Sequence, residues 1–257
     1  MNIFVFDIET VPDVEAGRCL YNLPELNEAE VATAMFKLRR QNNGTDFLPL
    51  HLQRIVAISV ALRTHEQFQV WSLGSSASSE KELIERFFAG IDKYTPTLVS
   101  WNGCGFDLPV IHYRALLHGV VAPRYWDNGD DDPGFRWNNY LNRFHYRHTD
   151  LMDVLAGYQN KANAPLEHIA TMLGFPGKMG MSGKHVWEHY LQGDTVGIRN
   201  YCETDVVNTY LVFLRFELMR GKLTAEQYEV ECKLVRERLQ QLNKPHLTEF
   251  LGHWYAK

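Results

Sequence analysis

The stretch Phe4-Val5-Phe6-Asp7-Ile8-Glu9-Thr10 constrains this chain more than any other. Apolar residues run from Ile3 to Phe6, as in a buried strand. They then give way to two carboxylates. Side chains alternate along a strand, so Asp7 and Glu9 point to one face and Ile8 to the other. Two acids side by side at the end of a buried strand repel each other and lose solvation. A divalent cation would resolve that conflict, since hard cations such as Mg²⁺ take carboxylate oxygens and keep waters for substrate phosphates. Taken alone, the pair also suits a strand that simply ends in solvated acids. Its company later in the chain separates the two readings.

Further strands are expected at Arg54–Leu62, an almost unbroken apolar run, and at Gln67–Leu73, which alternates polar and apolar. A helix over residues 28–40, entered past Pro24, has Val31, Met35 and Leu38 at helical spacing and reads as a covering element. Ser79 and Glu82 have capping-box spacing before an amphipathic helix that runs to about Lys93. A fourth strand, Thr97–Trp101, leads into Asn102-Gly103-Cys104-Gly105-Phe106-Asp107. Pro109 suits the first turn of the helix that follows, which makes Asp107 read as an ordinary N-cap. Asp150 reads as the cap of a helix to about Tyr158, Pro165 as the start of another, and Asp194 as the cap of a long helix over 195–219. On that last helix Tyr201 and Asp205 are four apart and share a face. The loop from Gly174 to Gly183 is not a Walker A loop, because His185 stands where Ser or Thr is required. With no repeat and no linker-like stretch, the chain reads as one domain over 1–257, with its motif-bearing core at about 1–215 and a helical extension at about 222–257.

Composition removes several classes of function. Four cysteines, Cys19, Cys104, Cys202 and Cys232, form no Cys-x-x-Cys pair, which argues against a zinc site or a disulfide framework and suits a reducing cytoplasm. No run approaches the roughly 18 apolar residues of a membrane span, and the N-terminus lacks a signal-peptide pattern. A net charge of −5 disfavours broad duplex binding. It leaves room for an enzyme that grips a few nucleotides around bound cations.

The order of the acidic sites is more telling than any one of them. Asp-x-Glu ends the first strand, Asn-x-x-x-Phe-Asp follows a later strand and opens a helix, and Tyr-x-x-x-Asp lies on a helix near the end. This order resembles the three motifs of the DEDD superfamily of 3′–5′ exonucleases, in its tyrosine subclass. The histidine form would need His at position 200, which is Asn. The segment Pro176–Gly183 is similar to that of stand-alone exonucleases related to the proofreading domain of family B DNA polymerases. The resemblance covers about residues 1–215.

It implies an α/β, RNase H-like fold with a five-stranded mixed sheet flanked by helices, the fifth strand being short and near residues 146–149. It also implies that Asp7, Glu9, Asp107 and Asp205 hold two divalent cations, Mg²⁺ or Mn²⁺, about 4 Å apart. Tyr201 would orient the attacking water, being a poor base with a reference pKa near 10. The substrate would be the 3′ end of single-stranded nucleic acid, DNA in preference to RNA, with Thr10, Asn102, Phe106 and Lys178 as substrate contacts. Residues 125–147 interleave aromatics with arginines, so Trp137 and Arg143 are further candidates for gripping unpaired bases and phosphates. The bland reading of that segment is a local core against the sheet. The alternatives in function are an inactive exonuclease-fold module that only binds single strands, which the intact carboxylates argue against, and an endonuclease, which lacks the Tyr-x-x-x-Asp signature.

Overall fold

The strand that opens the sequence is the centre of the sheet. In the computed structural model, which describes residues 2–23 and 25–255, β1 (Ile3–Pro12) pairs antiparallel with β2 (Gln53–Arg63) and parallel with β4 (Thr97–Ser100). β3 (Phe68–Ser72) pairs antiparallel with β2, and β5 (His148–Asp150) lies parallel to β4. The order β3-β2-β1-β4-β5 is a five-stranded mixed sheet flanked by helices, the RNase H-like α/β architecture. Pro24, the expected entry to the second helix, lies outside the described residues.

The helices are α1 (Val14–Tyr21), α2 (Glu28–Asn43), α3 (Glu80–Tyr94), α4 (Asp107–His118), α5 (Pro123–Trp126), α6 (Leu151–Leu155), α7 (Leu166–Met172), α8 (Val186–Leu191), α9 (Thr195–Met219), α10 (Ala225–Leu242) and α11 (Pro245–His253). The alternation along β1 sorts them into two layers. Phe4, Phe6 and Ile8 enter a core with Phe87 of α3 and Val110 and Ile111 of α4. Val5 enters the opposite core with Val206 and Tyr210 of α9, and Val11 meets Ile198 and Cys202 of the same helix. Asp7 and Glu9 fall between Val5 and Val11 in this period of two, and so face α9.

A bulge sits beside them. Glu9 lies opposite Ala57 but Thr10 lies opposite Ile55, leaving Val56 as an extra residue on β2. α1 was not expected, because Gly17 in its middle reads as a breaker. That glycine lets α2 approach: a Cβ there would overlap the Met35 sulfur. The capping box expected at α3 is half formed. Ser79 accepts from the Glu82 N–H, while the Glu82 carboxylate turns to Arg86 at 2.8 Å.

Two buried ionic knots tie the layers together. Arg114 of α4 binds Asp13, at the exit of β1, and Glu80 of α3. Glu203 of α9 accepts from the Ser72 N–H at 2.9 Å, from Lys244 Nζ at 2.8 Å and from the His246 ring at 2.9 Å. The second knot fastens α11 to α9.

Candidate active site

β1 carries Asp7, half-buried, and Glu9, buried, out of the sheet toward α9. The Cys202 thiol of α9 lies 3.4 Å from an Asp7 carboxylate oxygen and 3.4 Å from the Asp7 carbonyl. Burial and the surrounding carboxylates push that thiol well up, so it stays protonated and donates.

Asp107 arrives from the other layer. The expectation that it caps α4 is corrected: Phe106 takes the cap position without a side-chain hydrogen bond, and Asp107 is the first helical residue. Its Oδ1 accepts the Ile8 N–H at 3.1 Å. The preceding loop is folded tightly. Asn102 has a positive φ of 66°, and a Cβ at Gly103 would collide with the Ser100 side chain. Asp150, read from sequence as a helix cap, does cap α6. Its carboxylate also accepts the Asn102 and Cys104 N–H groups at 2.9 and 2.8 Å, which sets the loop that delivers Asp107. Only a fold brings those positions together, so no local sequence signal marked this second role. Cys104, Asp150 and Asp153 form a second ligand-like cluster. Asp150 accepts these amides through both oxygens, and Asp153 pairs one oxygen with Arg143, so hydrogen bonds already serve both carboxylates.

α9 supplies the rest. Asp194 caps it through the Gly197 N–H at 2.8 Å. Tyr201 and Asp205 then lie one turn apart on the face toward β1, and Tyr201 is only 8% exposed. Lys178, from the loop after α7, is close enough to lower both Glu9 and Asp205 electrostatically. Its position is fixed from behind. The buried Asn208 amide accepts from the Gly177 N–H and donates to the Gly177 carbonyl at 2.9 Å. Sequence reasoning passed over Asn208 as one more residue of a buried helix. Its one signal was its place three residues after Asp205, on an otherwise apolar stretch.

Burial first, and then mutual repulsion, push these acids upward. Asp7 is raised by burial, then by Asp107, Glu9 and Asp205, and Glu9 by burial, then by Asp205 and Asp107. Burial takes Asp107 up to about 7 and Asp205 to about 6, with the Tyr201 hydroxyl holding Asp205 down. A pair of like charges about 4–5 Å apart at an effective dielectric near 20 costs about 3–4 kcal/mol. One charge-assisted hydrogen bond such as that from Ile8 returns roughly 1.5–3 kcal/mol, and it goes to Asp107, leaving the Asp7–Glu9 pair, whose ligand atoms come within 4.8 Å, unrelieved by it. Asp7 and Glu9 bring ligand atoms within 4.8 Å of each other and of the Cys202 thiol, and Asp107 and Asp205 act on both acids electrostatically. With the thiol protonated, the carboxylates are the anionic donors, and they suit divalent cations of the Mg²⁺ or Mn²⁺ kind. The Tyr201 phenol is pushed far above its usual range by burial and by Asp205, Glu9 and Asp7, so it is a fixed proton donor.

The other expected contacts divide. Thr10 donates its hydroxyl to Gln53 at 2.9 Å, and Phe106 packs its ring against Phe47 at the edge of the acids. Residues 125–147 do not act as a unit. Tyr125, Phe135 and Tyr140 are buried, and Arg147 stacks on Phe135 at 4.1 Å, so this half is a local core. Trp137 is 81% exposed. Arg143 is held by Asp153 at 2.8 Å and lies over the Tyr158 ring.

Sheet order and helical layers place the chain in the RNase H-like α/β class. Residues 45–254 match the family described as predicted 3′–5′ exonucleases related to the exonuclease domain of PolB, and the chain belongs to that family. The match begins after Asp7 and Glu9, so their meeting with Asp107 and Asp205 is an observation independent of it. The sequence is 23% identical over 158 residues to a DNA polymerase of Archaeoglobus fulgidus, covering 60% of this chain and 19% of that one. The fold is also similar to the family B DNA polymerase of Pyrobaculum calidifontis, with a TM-score of 0.49 and 16% identity, covering 85% of this chain and 24% of the polymerase. The chain thus spans about a fifth of the length of the curated polymerase it matches. Among the described residues no helix is long and apolar enough to cross a membrane.

Proposed function

We propose that this chain is a metal-dependent 3′–5′ exonuclease of the tyrosine DEDD subclass. It removes nucleoside 5′-monophosphates from the 3′ end of single-stranded nucleic acid, with DNA as the favoured substrate. The observation that carries this reading is the meeting of Asp7, Glu9, Asp107 and Asp205, from two layers of the fold, beside a buried tyrosine that stays protonated. These four carboxylates would hold two divalent cations, Mg²⁺ or Mn²⁺. Bound there, the cations supply a more acidic water and neutralise charge on the leaving oxygen. Tyr201 gives its hydroxyl hydrogen to Asp205 and orients the water by accepting from it through the phenol oxygen. Lys178 offers a cation to the phosphate. Thr10 and Phe106, each next in sequence to one of the acids, and Asn102, at the head of the loop that delivers Asp107, contact the terminal nucleotide, while Trp137 and Arg143 contact the strand behind it.

A 5′-labelled oligonucleotide incubated with and without Mg²⁺ or Mn²⁺ tests this. Stepwise, metal-dependent shortening is expected. Internal cuts, or a shifted band with no cutting, would overturn it.

A further inference from the structure

A cavity of about 660 Å³ borders the loop that delivers Asp107, and none of the four acids lines it. Gly105 and Leu108 line it, and these residues bracket Asp107 in sequence. The acidic site and this cavity therefore share one short segment. The size is that of a small-molecule pocket, which spans roughly 300–1,000 Å³.

Its lining favours a base over a phosphate. Trp126 presents a half-exposed indole, steadied by the His112 ring at 4.8 Å and by an edge contact with Tyr125 at 5.3 Å. Leu141 and Pro109 continue the apolar wall. The lining also holds the exposed residues Asn160 and Asn163, whose side-chain amides can donate and accept along the edge of a heterocycle. Charge is sparse. Arg143 is neutralised by Asp153, and burial brings both His112 and His148 down to about 4, so each ring is neutral. An aromatic face with amides and no net charge matches an unpaired base, whereas a phosphate would call for free cations.

We propose that this cavity binds an unstacked base of the substrate strand, on the 5′ side of the terminal dinucleotide. The inference rests on the exonuclease reading for the direction of the strand and adds a base-binding subsite to it. The indole supplies a stacking face, and Asn160 and Asn163 give the subsite the means to prefer some bases over others.

The test measures anisotropy of 5′-fluorescein-labelled octathymidylate and dithymidylate on the full chain, with Ca²⁺ in place of Mg²⁺. The variants are Trp126→Ala and the surface change Asn163→Ala, each checked by a thermal melt. Trp126→Ala should weaken octamer binding about five- to a hundredfold, the range that loss of one base–aromatic stack gives. Asn163→Ala should weaken it less. Affinity of both variants for the dimer, which lacks the base assigned to the cavity, should match the wild type. Unchanged octamer affinity in both variants, equal losses on dimer and octamer, or no octamer binding by the wild type would each overturn the subsite. Loss of octamer binding in a protein whose wild type shortens no strand would keep the subsite and overturn the exonuclease reading instead.

Discussion

The backbone N–H of Ile8 donates to the carboxylate of Asp107, 99 positions later in the chain. β4 pairs with β1 only from Ile3 to Val5, so Ile8 has lost its neighbour on that side. On the other side its partner Ile58 turns away, accepting from Leu73. A buried amide without a partner would cost about 1–3 kcal/mol. The Asp107 side chain takes the place of the missing strand, and one of its two oxygens remains for other work.

Neutralising one acid should separate activity from stability. Asp7→Asn or Asp205→Asn removes a negative donor while keeping shape. Hydrolysis with Mg²⁺ should fall by about 10²-fold or more, the scale of losing a transition-state charge partner. The metal-free protein should melt no lower than the wild type, since repulsion is relieved. Near wild-type turnover in either variant would refute the cation assignment.

The raised acids also predict how Mg²⁺ acts on stability. Asp107 titrates at about 7 and Asp205 at about 6, against about 4 when unfolded. The folded chain then holds protons the unfolded chain has released, so these groups' contribution to stability falls as pH rises from about 4 to about 7. A divalent cation replaces those protons. The rise in Tm on adding Mg²⁺ should be small near pH 5 and reach its plateau above about pH 7. Melts across a pH series check this, and a constant increment would refute it.

Tyr201→Phe keeps the ring and deletes the hydroxyl. If that hydroxyl aligns the water, kcat should drop by at most roughly 10²–10⁴-fold, with little change in strand affinity. Single-turnover rates beside binding curves make the comparison. An unchanged rate would reduce Tyr201 to a core aromatic.

Asn208→Ala frees the backbone at Gly177 and with it the approach of Lys178. Activity should fall in both Asn208→Ala and Lys178→Ala. The double variant should lose less than the product of the two, because both changes act through one ammonium group. Independent losses in the double-mutant cycle would show that Asn208 serves folding alone.

Trp137 and Arg147 should behave oppositely despite lying in one segment. Arg147→Ala removes a group stacked on Phe135 and bonded to the Asn138 carbonyl at 2.8 Å, and should lower the Tm. Trp137→Ala should leave the Tm alone and weaken single-strand binding. Affinity at two salt concentrations with a melt as control decides between them, and a Trp137→Ala protein that binds normally would remove Trp137 from the substrate path.

Four strands of the sheet were readable because their own residues announce them, as in the apolar run at Ile3–Phe6, the longer one in β2 and the alternation in β3, whereas the three-residue β5 was expected only from the resemblance. The facing of Asp7 and Glu9 followed from the same two-residue period, and that of Tyr201 and Asp205 from the helical one. What escaped notice depends on distant partners. Gly17 looks like a breaker until Met35 is packed on it. Asp107 looks like a cap until Ile8, from another layer, is seen to need an acceptor. Asn208 holds a backbone 31 positions away, and nothing in its neighbourhood announces this. The aromatics of 125–147 misled as a set, because composition cannot tell a ring buried beside Pro96, as Tyr140 is, from one left in solvent.

Glu203 lies two residues from both Tyr201 and Asp205, about 200° around the helix from each. The donors from β3 and α11 that grip it act as a torsional brake. Rolling α9 about its own axis is the motion that would swing Tyr201 and Asp205 out from over β1, and it would tear Glu203 from Ser72, Lys244 and His246. Helices that contribute none of the acids thereby set the angle at which two of the site's side chains are presented. Reshaping α11 would detune the site from its back.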